Sequence, residues 1–125
     1  SIMRYLTARK RAEGKGAAGT GTEHFWYMKL SGVGLALIIP VFLVAFGRAL
    51  GGDRAEVLAA FSHPAMAILT GLVIFFGLRH YASGAQTMIE DYSHGSTRRG
   101  LIIAVTVLSY GLIATGLFAL AKIAL

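Results

Sequence analysis

The sequence predicts an all-α membrane protein of three transmembrane helices with its N-terminus in the cytoplasm. Composition comes first: the 125 residues are 55% hydrophobic and 14% charged, with a mean hydropathy of +0.64, which is richer in apolar and poorer in charged side chains than a soluble domain. The charges gather at the ends of three long apolar runs. Each run, with its flanks, reaches the roughly 20 residues needed to cross about 30 Å of hydrocarbon. A soluble fold would have to bury three such helices in one small core.

Residues 1–23, "SIMRYLTARKRAEGKGAAGTGTE", form a basic, Gly-rich tail ahead of an anchor domain at 24–125. Such a tail is ordered only where something pins it, so it is expected to dock on a partner. Leu30 to Gly47 is uncharged between Lys29 and Arg48, which predicts a first span over about 25–49 with Pro40 as a kink. "DRAE" at Asp53 to Glu56 resembles a capping box that opens a short interfacial helix. Val57 to Leu78 has no Asp, Glu, Lys or Arg, and the second span is expected over about 64–91. Ser62 is its expected cap, with Pro64 in the first turn. Gly100 to Ala121 is uncharged between Arg99 and Lys122, giving a third span over about 99–123. In lipid every backbone polar group must be satisfied within its own segment, so these spans are helices.

The tail holds Arg4, Arg9, Lys10, Arg11 and Lys15, and the segment after the second span holds Arg98 and Arg99. The loop after the first span has Arg54 against Asp53 and Glu56. The positive-inside rule therefore places the N-terminus and the 92–99 loop in the cytoplasm and the C-terminus outside. The net charge of +6 clusters at span ends and not along one face, which argues against nucleic acid as a partner. With no cysteine, the chain by itself builds no disulfide, zinc–thiolate site or iron–sulfur cluster.

"GLRHYASGAQTMIEDYSHG", residues 77–95, carries Arg79, His80, Gln86, Glu90, Asp91 and Tyr92 at the end of an apolar run. An intramembrane histidine is costly and faces protein, a cofactor or water. His80 lies roughly 16 Å from the cytoplasmic end of its helix at 1.5 Å per residue. Gly77, Ser83, Gly84 and Thr87 share its face, and small residues let a helix or a flat ring approach closely. Two uses fit: a hydrogen bond to a neighbouring helix, or axial ligation of haem iron by a neutral imidazole. Asp91 follows eleven residues later, close to three turns and nearly on the same face, with Tyr92 one step round. They read either as a solvated helix end and a belt tyrosine, or as an acid and a phenol that bind a polar ring.

His80, eleven residues to Asp91, then Tyr92, with Gly84 four after the histidine, resembles the small hydrophobic membrane-anchor subunit of succinate dehydrogenase, respiratory complex II. "GTEHFWYMKLSG" resembles that family's entry to its first helix through Gly21, Phe25, Lys29 and Ser31, with Lys29 where arginine is common. The resemblance covers the whole chain. It implies that His80 is one axial ligand of a haem b, shared with a second haem-binding anchor subunit in a multi-subunit helical bundle. It also implies that Tyr92 hydrogen-bonds a ubiquinone carbonyl and that Asp91 supports that site. Flavoprotein and iron–sulfur subunits would hold the succinate chemistry, so this chain has no catalytic residue of its own. Its place would be electron transport between the tricarboxylic acid cycle and the respiratory chain, in a bacterial cytoplasmic (inner) membrane before a mitochondrial one.

Around the haem the candidate pocket or propionate contacts are Lys29, Ser31, His24, Ser83, Gly84 and Arg79. Phe25, Trp26 and Tyr27 read as belt aromatics, Glu90 as a solvated charge, His63 and His94 as loop histidines, and Met28 and Met88 as packing. A reading of another class makes the chain a small transporter or channel subunit with a His80/Asp91 proton relay.

Overall fold

The computed structural model describes residues 7–13 and 21–125. Among them the chain is all-helical, in the order α1 (Ala8–Glu13), α2 (Gly21–Ala49), α3 (Arg54–Ser62), α4 (Pro64–Tyr92) and α5 (Gly95–Ala124). Helices α2, α4 and α5 are long and apolar enough to cross a membrane. At 1.5 Å per residue each is about 40–45 Å long, so each tilts or projects beyond about 30 Å of hydrocarbon. The expected docking of the tail falls largely on residues 1–6 and 14–20, outside the described residues.

The helices of membrane length among the described residues are three, as expected, but their ends differ. α2 starts at Gly21 and runs unbroken through Pro40. α5 starts at Gly95, not near 99, so the expected 92–99 loop shrinks to Ser93 and His94. Gly95 makes that short turn with φ +67°, a conformation that glycine adopts without a Cβ penalty. Arg98 therefore sits on the first turn of α5. Its Nε donates to the Ser93 carbonyl at 2.8 Å and its Nη2 to the Glu90 carbonyl at 2.7 Å, which satisfies carbonyls left open at the end of α4.

The cap of α4 is also corrected. Ser62 does not cap it; its hydroxyl donates back to the Leu58 and Ala59 carbonyls at 3.0 and 2.9 Å and ends α3. His63 is the cap, with Nδ1 accepting from the Ala65 amide at 3.2 Å. The reason is Pro64, which forces the residue before it into extended backbone; His63 has φ −65° and ψ 130°. His63 and His94 lie between helices, as expected of loop histidines, and each is also the N-cap position of the helix that follows, His94 without a side-chain capping bond. In "DRAE", Asp53 Oδ1 accepts from the Glu56 amide at 2.8 Å, the cap half of the expected box.

α4 is the middle helix. It packs against α5 along most of its length and against α2 on another side, while α2 and α5 do not touch each other. The short α3 crosses one end and reaches all three. Only Leu35, Ile89 and Ile113 are buried hydrophobic residues among those described. Leu37, Val41, Ile68, Val107 and Phe118 point outward. Such a surface is unstable in water and suited to lipid and to other apolar helices.

Candidate functional site

The α2/α4 seam holds His80, Ser31, Arg79 and Gly84 of the predicted site. Two glycines set its spacing. A Cβ on Gly32 would lie 3.5 Å from His80 Cε1, and one on Gly84 would lie 3.9 Å from the Met28 methyl. Met28 therefore packs, as expected, and the His80 ring rests against the α2 backbone. In antiparallel helices these pairs run in register: 28 beside 84, then 32 beside 80.

At that level Ser31 Oγ lies 2.8 Å from His80 Nδ1 and also donates to the Met28 carbonyl at 3.2 Å. His80 thus makes the hydrogen bond to a neighbouring helix that its depth called for. Its Nε2 makes no hydrogen bond among the described residues. A ring fixed through one nitrogen with the other left available is what a metal-ligating histidine requires, since ligating imidazoles normally bond through the second nitrogen as well. Next to the pair, Leu30, Ser31, Gly34, Leu35, Ile38, Leu72 and Phe76 line an open apolar groove of about 340 Å³.

Arg79 turns away from His80. Its guanidinium lies 4.8 Å from the centroid of the Tyr27 ring, a cation–π distance. The side chain runs from its own level towards the start of α2, as a snorkelling cation does. Tyr27 is more than a belt residue: its hydroxyl is buried with no hydrogen-bond partner among the described residues. A buried hydroxyl left unpaired costs about 1–3 kcal/mol, so the geometry calls for a partner beyond the described residues. Lys29 Nζ sits 5.5 Å from the Trp26 ring and 6.0 Å from the Phe25 ring, on the exposed side of α2. His24 is exposed. Ser83 is half-buried on α4, its carbonyl accepting the Thr87 hydroxyl at 3.1 Å.

Asp91 and Tyr92 are at the far end. Tyr92 is 86% exposed and Asp91 is exposed. Neither makes a side-chain hydrogen bond among the described residues. Glu90 does, accepting from Gln86 Nε2 at 3.1 Å. His80 and Asp91 are roughly 16 Å apart along α4, and no hydrogen-bonded chain joins them among the described residues. The structure thus brings together Ser31, Gly32 and His80, and Tyr27 with Arg79. It leaves Tyr92, Asp91, Lys29 and His24 facing outward. No cluster of three or more potential metal-binding side chains occurs among the described residues, so any metal bound here would need ligands from elsewhere.

Sequence reasoning missed Gly32, Tyr27 and Arg98. The "SG" pair of Ser31 and Gly32 was a signal for close helix approach. Arg98, eight residues after Glu90, could have been read as a cation for the end of α4. Nothing in the local pattern marked the Tyr27 hydroxyl as buried.

A family model described as the succinate dehydrogenase/fumarate reductase transmembrane subunit matches residues 3–118. A relative from Paracoccus denitrificans, the "Succinate dehydrogenase hydrophobic membrane anchor subunit", is 40% identical over 123 residues, covering 98% of this chain and 95% of that protein. No solved structure matches the chain.

Proposed function

The chain belongs to the family of succinate dehydrogenase/fumarate reductase transmembrane subunits, and we propose that it serves there as one of two anchors that bind haem b and complete a ubiquinone pocket. It is a membrane anchor, and membership of that family implies a complex with catalytic subunits. In the proposed arrangement these are a flavoprotein and an iron–sulfur subunit, joined by a second anchor that gives the other haem ligand. The complex sits in a bacterial inner membrane, with the tail and the α4–α5 turn on the cytoplasmic side, where Arg9, Arg11, Arg98 and Arg99 lie.

The observation that carries the proposal is the state of His80: held by Ser31 through Nδ1 at 2.8 Å, beside an apolar groove, with Nε2 unengaged. Those residues fit a haem. His80 supplies the nitrogen ligand, Ser31 orients it, and Ser83 and Gly84 on the same helix keep the flank small. Bound there, a haem supplies a one-electron centre near the quinone. Tyr27 sits about one turn nearer the cytoplasmic end than Ser31, with the Arg79 guanidinium reaching over its ring, and there a propionate or a partner side chain would satisfy the Tyr27 hydroxyl; Lys29 and His24 serve the same edge from α2. Tyr92 donates its phenol hydrogen to a quinone carbonyl, and Asp91 orients the phenol or passes it a proton. Both are open to a pocket whose other wall belongs to a partner chain.

The test is His80→Leu in the intact complex, read by oxidised and reduced absorption spectra. Leucine cannot coordinate iron, so the six-coordinate b-type signature should be lost. An unchanged signature would remove His80 from the haem.

A further inference from the structure

We propose that Ser31 is a positioning residue that locks His80 in the tautomer whose Nε2 is free to bind a metal, and that it strengthens that nitrogen as a donor. The inference rests on the reading of His80 as a haem ligand and adds what decides whether the histidine can act as one.

A neutral imidazole carries its proton on either Nδ1 or Nε2, and only a bare nitrogen binds iron. Ser31 Oγ has one hydrogen and two neighbours, Met28 O at 3.2 Å and His80 Nδ1 at 2.8 Å. If the hydroxyl points at Nδ1, the Met28 carbonyl loses that bond and the proton of His80 is left on Nε2, which blocks ligation. If instead the hydroxyl points at Met28, Nδ1–H donates to Oγ, both contacts are hydrogen bonds, and Nε2 is bare. The second arrangement satisfies more groups at a depth where no water competes, so it prevails. A serine on a helix readily donates to the carbonyl one turn back, so α2 itself orients the hydroxyl.

The resulting chain runs His80 Nδ1–H to Ser31 Oγ–H to the Met28 carbonyl. Each bond polarises the next, and a histidine that donates from Nδ1 is a stronger ligand through Nε2. Stronger donation favours ferric over ferrous iron, so Ser31 holds the haem potential down. Gly32 faces the ring, where a Cβ would be in ordinary contact at 3.5 Å but a longer side chain would enter its space.

Threonine and valine are the test pair, because they have the same shape and differ by the hydroxyl. In the assembled complex, Ser31→Thr should keep the midpoint potential and low-spin signal of the haem. Ser31→Val should retain six-coordinate haem but shift it towards the ferrous form by roughly tenfold, which is about 59 mV upward for a one-electron couple. Equal potentials for the two variants, with haem retained, would overturn the proposal. If Val fails to assemble, Ser31→Ala, the smaller change, supplies the same comparison.

A second measurement does not depend on iron. In membranes containing haem-depleted complex with ¹⁵N-labelled histidine, the signal lost in His80→Leu should show protonated Nδ1 and bare Nε2 in the wild type, and lose that preference in Ser31→Val. A protonated Nε2 in the wild type would sink the tautomer argument. If His80→Leu left the haem spectrum intact, the haem reading would fail, while the tautomer result would still report on Ser31.

Discussion

Towards α2, helix α4 presents Arg79, His80 and Gly84; towards α5 it presents Gly71 and Ile74. The second seam is mostly apolar packing, with Arg98 hydrogen-bonded to the end of α4 and the small hydroxyls Thr70 and Ser109 buried among the helices. A Cβ on Gly116 would lie 3.1 Å from Ile74, and one on Gly71 would meet Leu120 and Leu117 at 3.6 and 3.8 Å, with Ile113 only 5% exposed. Its two helices are joined by a turn of two residues. The first seam also carries glycines but has a different filling: a histidine–serine bond, a guanidinium on a phenol ring, and a buried hydroxyl without a hydrogen-bond partner among the described residues. The contrast separates the tasks. α4 and α5 form a hairpin whose turn is closed by residues of the chain itself. The α2/α4 seam keeps an open apolar groove and a hydroxyl with no partner among the described residues, as the half-site proposed above requires.

The largest effect expected from that contrast is at Gly32. Alanine there adds a Cβ at 3.5 Å from the ring, an ordinary contact. The branched end of Gly32→Leu must enter the space of His80, and overpacking of this kind moves side chains off their rotamers. The six-coordinate haem signature should collapse in Gly32→Leu and survive in Gly32→Ala. If leucine leaves the spectrum of the complex unchanged, the seam is not the ligand site.

Tyr92 comes next, because it belongs to neither seam. Tyr92→Phe keeps the ring and removes only the donor. Losing a hydrogen bond to a buried acceptor costs about 1–3 kcal/mol, so succinate-to-quinone turnover at subsaturating quinone should fall by roughly ten- to a hundredfold. Succinate oxidation with an artificial acceptor at the soluble head, and the haem band, should hardly change. Wild-type quinone activity in that variant would make Tyr92 an interfacial belt residue.

The smallest effect is at Gly116. Gly116→Ala puts a methyl 3.1 Å from Ile74, so the isoleucine must shift by a few tenths of an ångström. Overpacking costs about 1 kcal/mol at its low end, and replacing a helical glycine returns about as much in helix propensity, so thermal melting of the complex should move by no more than about a degree or two while the haem spectrum and potential stay as they were. A spectral change with no loss of thermal stability would show that the two seams are not separate in function.

What the sequence determined by itself is local. Runs without charge, a basic residue at each end and a period of 3.6 are properties of consecutive residues. They were enough for three spans, and they put His80 and Asp91 on one stripe of α4 and Tyr92 at its end. The Ser62 cap and the late start of α5 were misread because hydroxyls and arginines have several local uses. Pro64 and the left-handed Gly95 settled which use applied.

The tertiary structure decided the partners. Ser31 and His80 are 49 positions apart, and no pattern within either helix says that these two faces meet. Nor does one say that α4 is central while α2 and α5 stay apart. Lipid is as apolar as leucine, so hydropathy fixes that a helix is in the membrane but not which side it turns to its neighbour. That choice belongs to the fit between facing side chains, tightest where Gly116 meets Ile74, which exists only once the backbones are side by side.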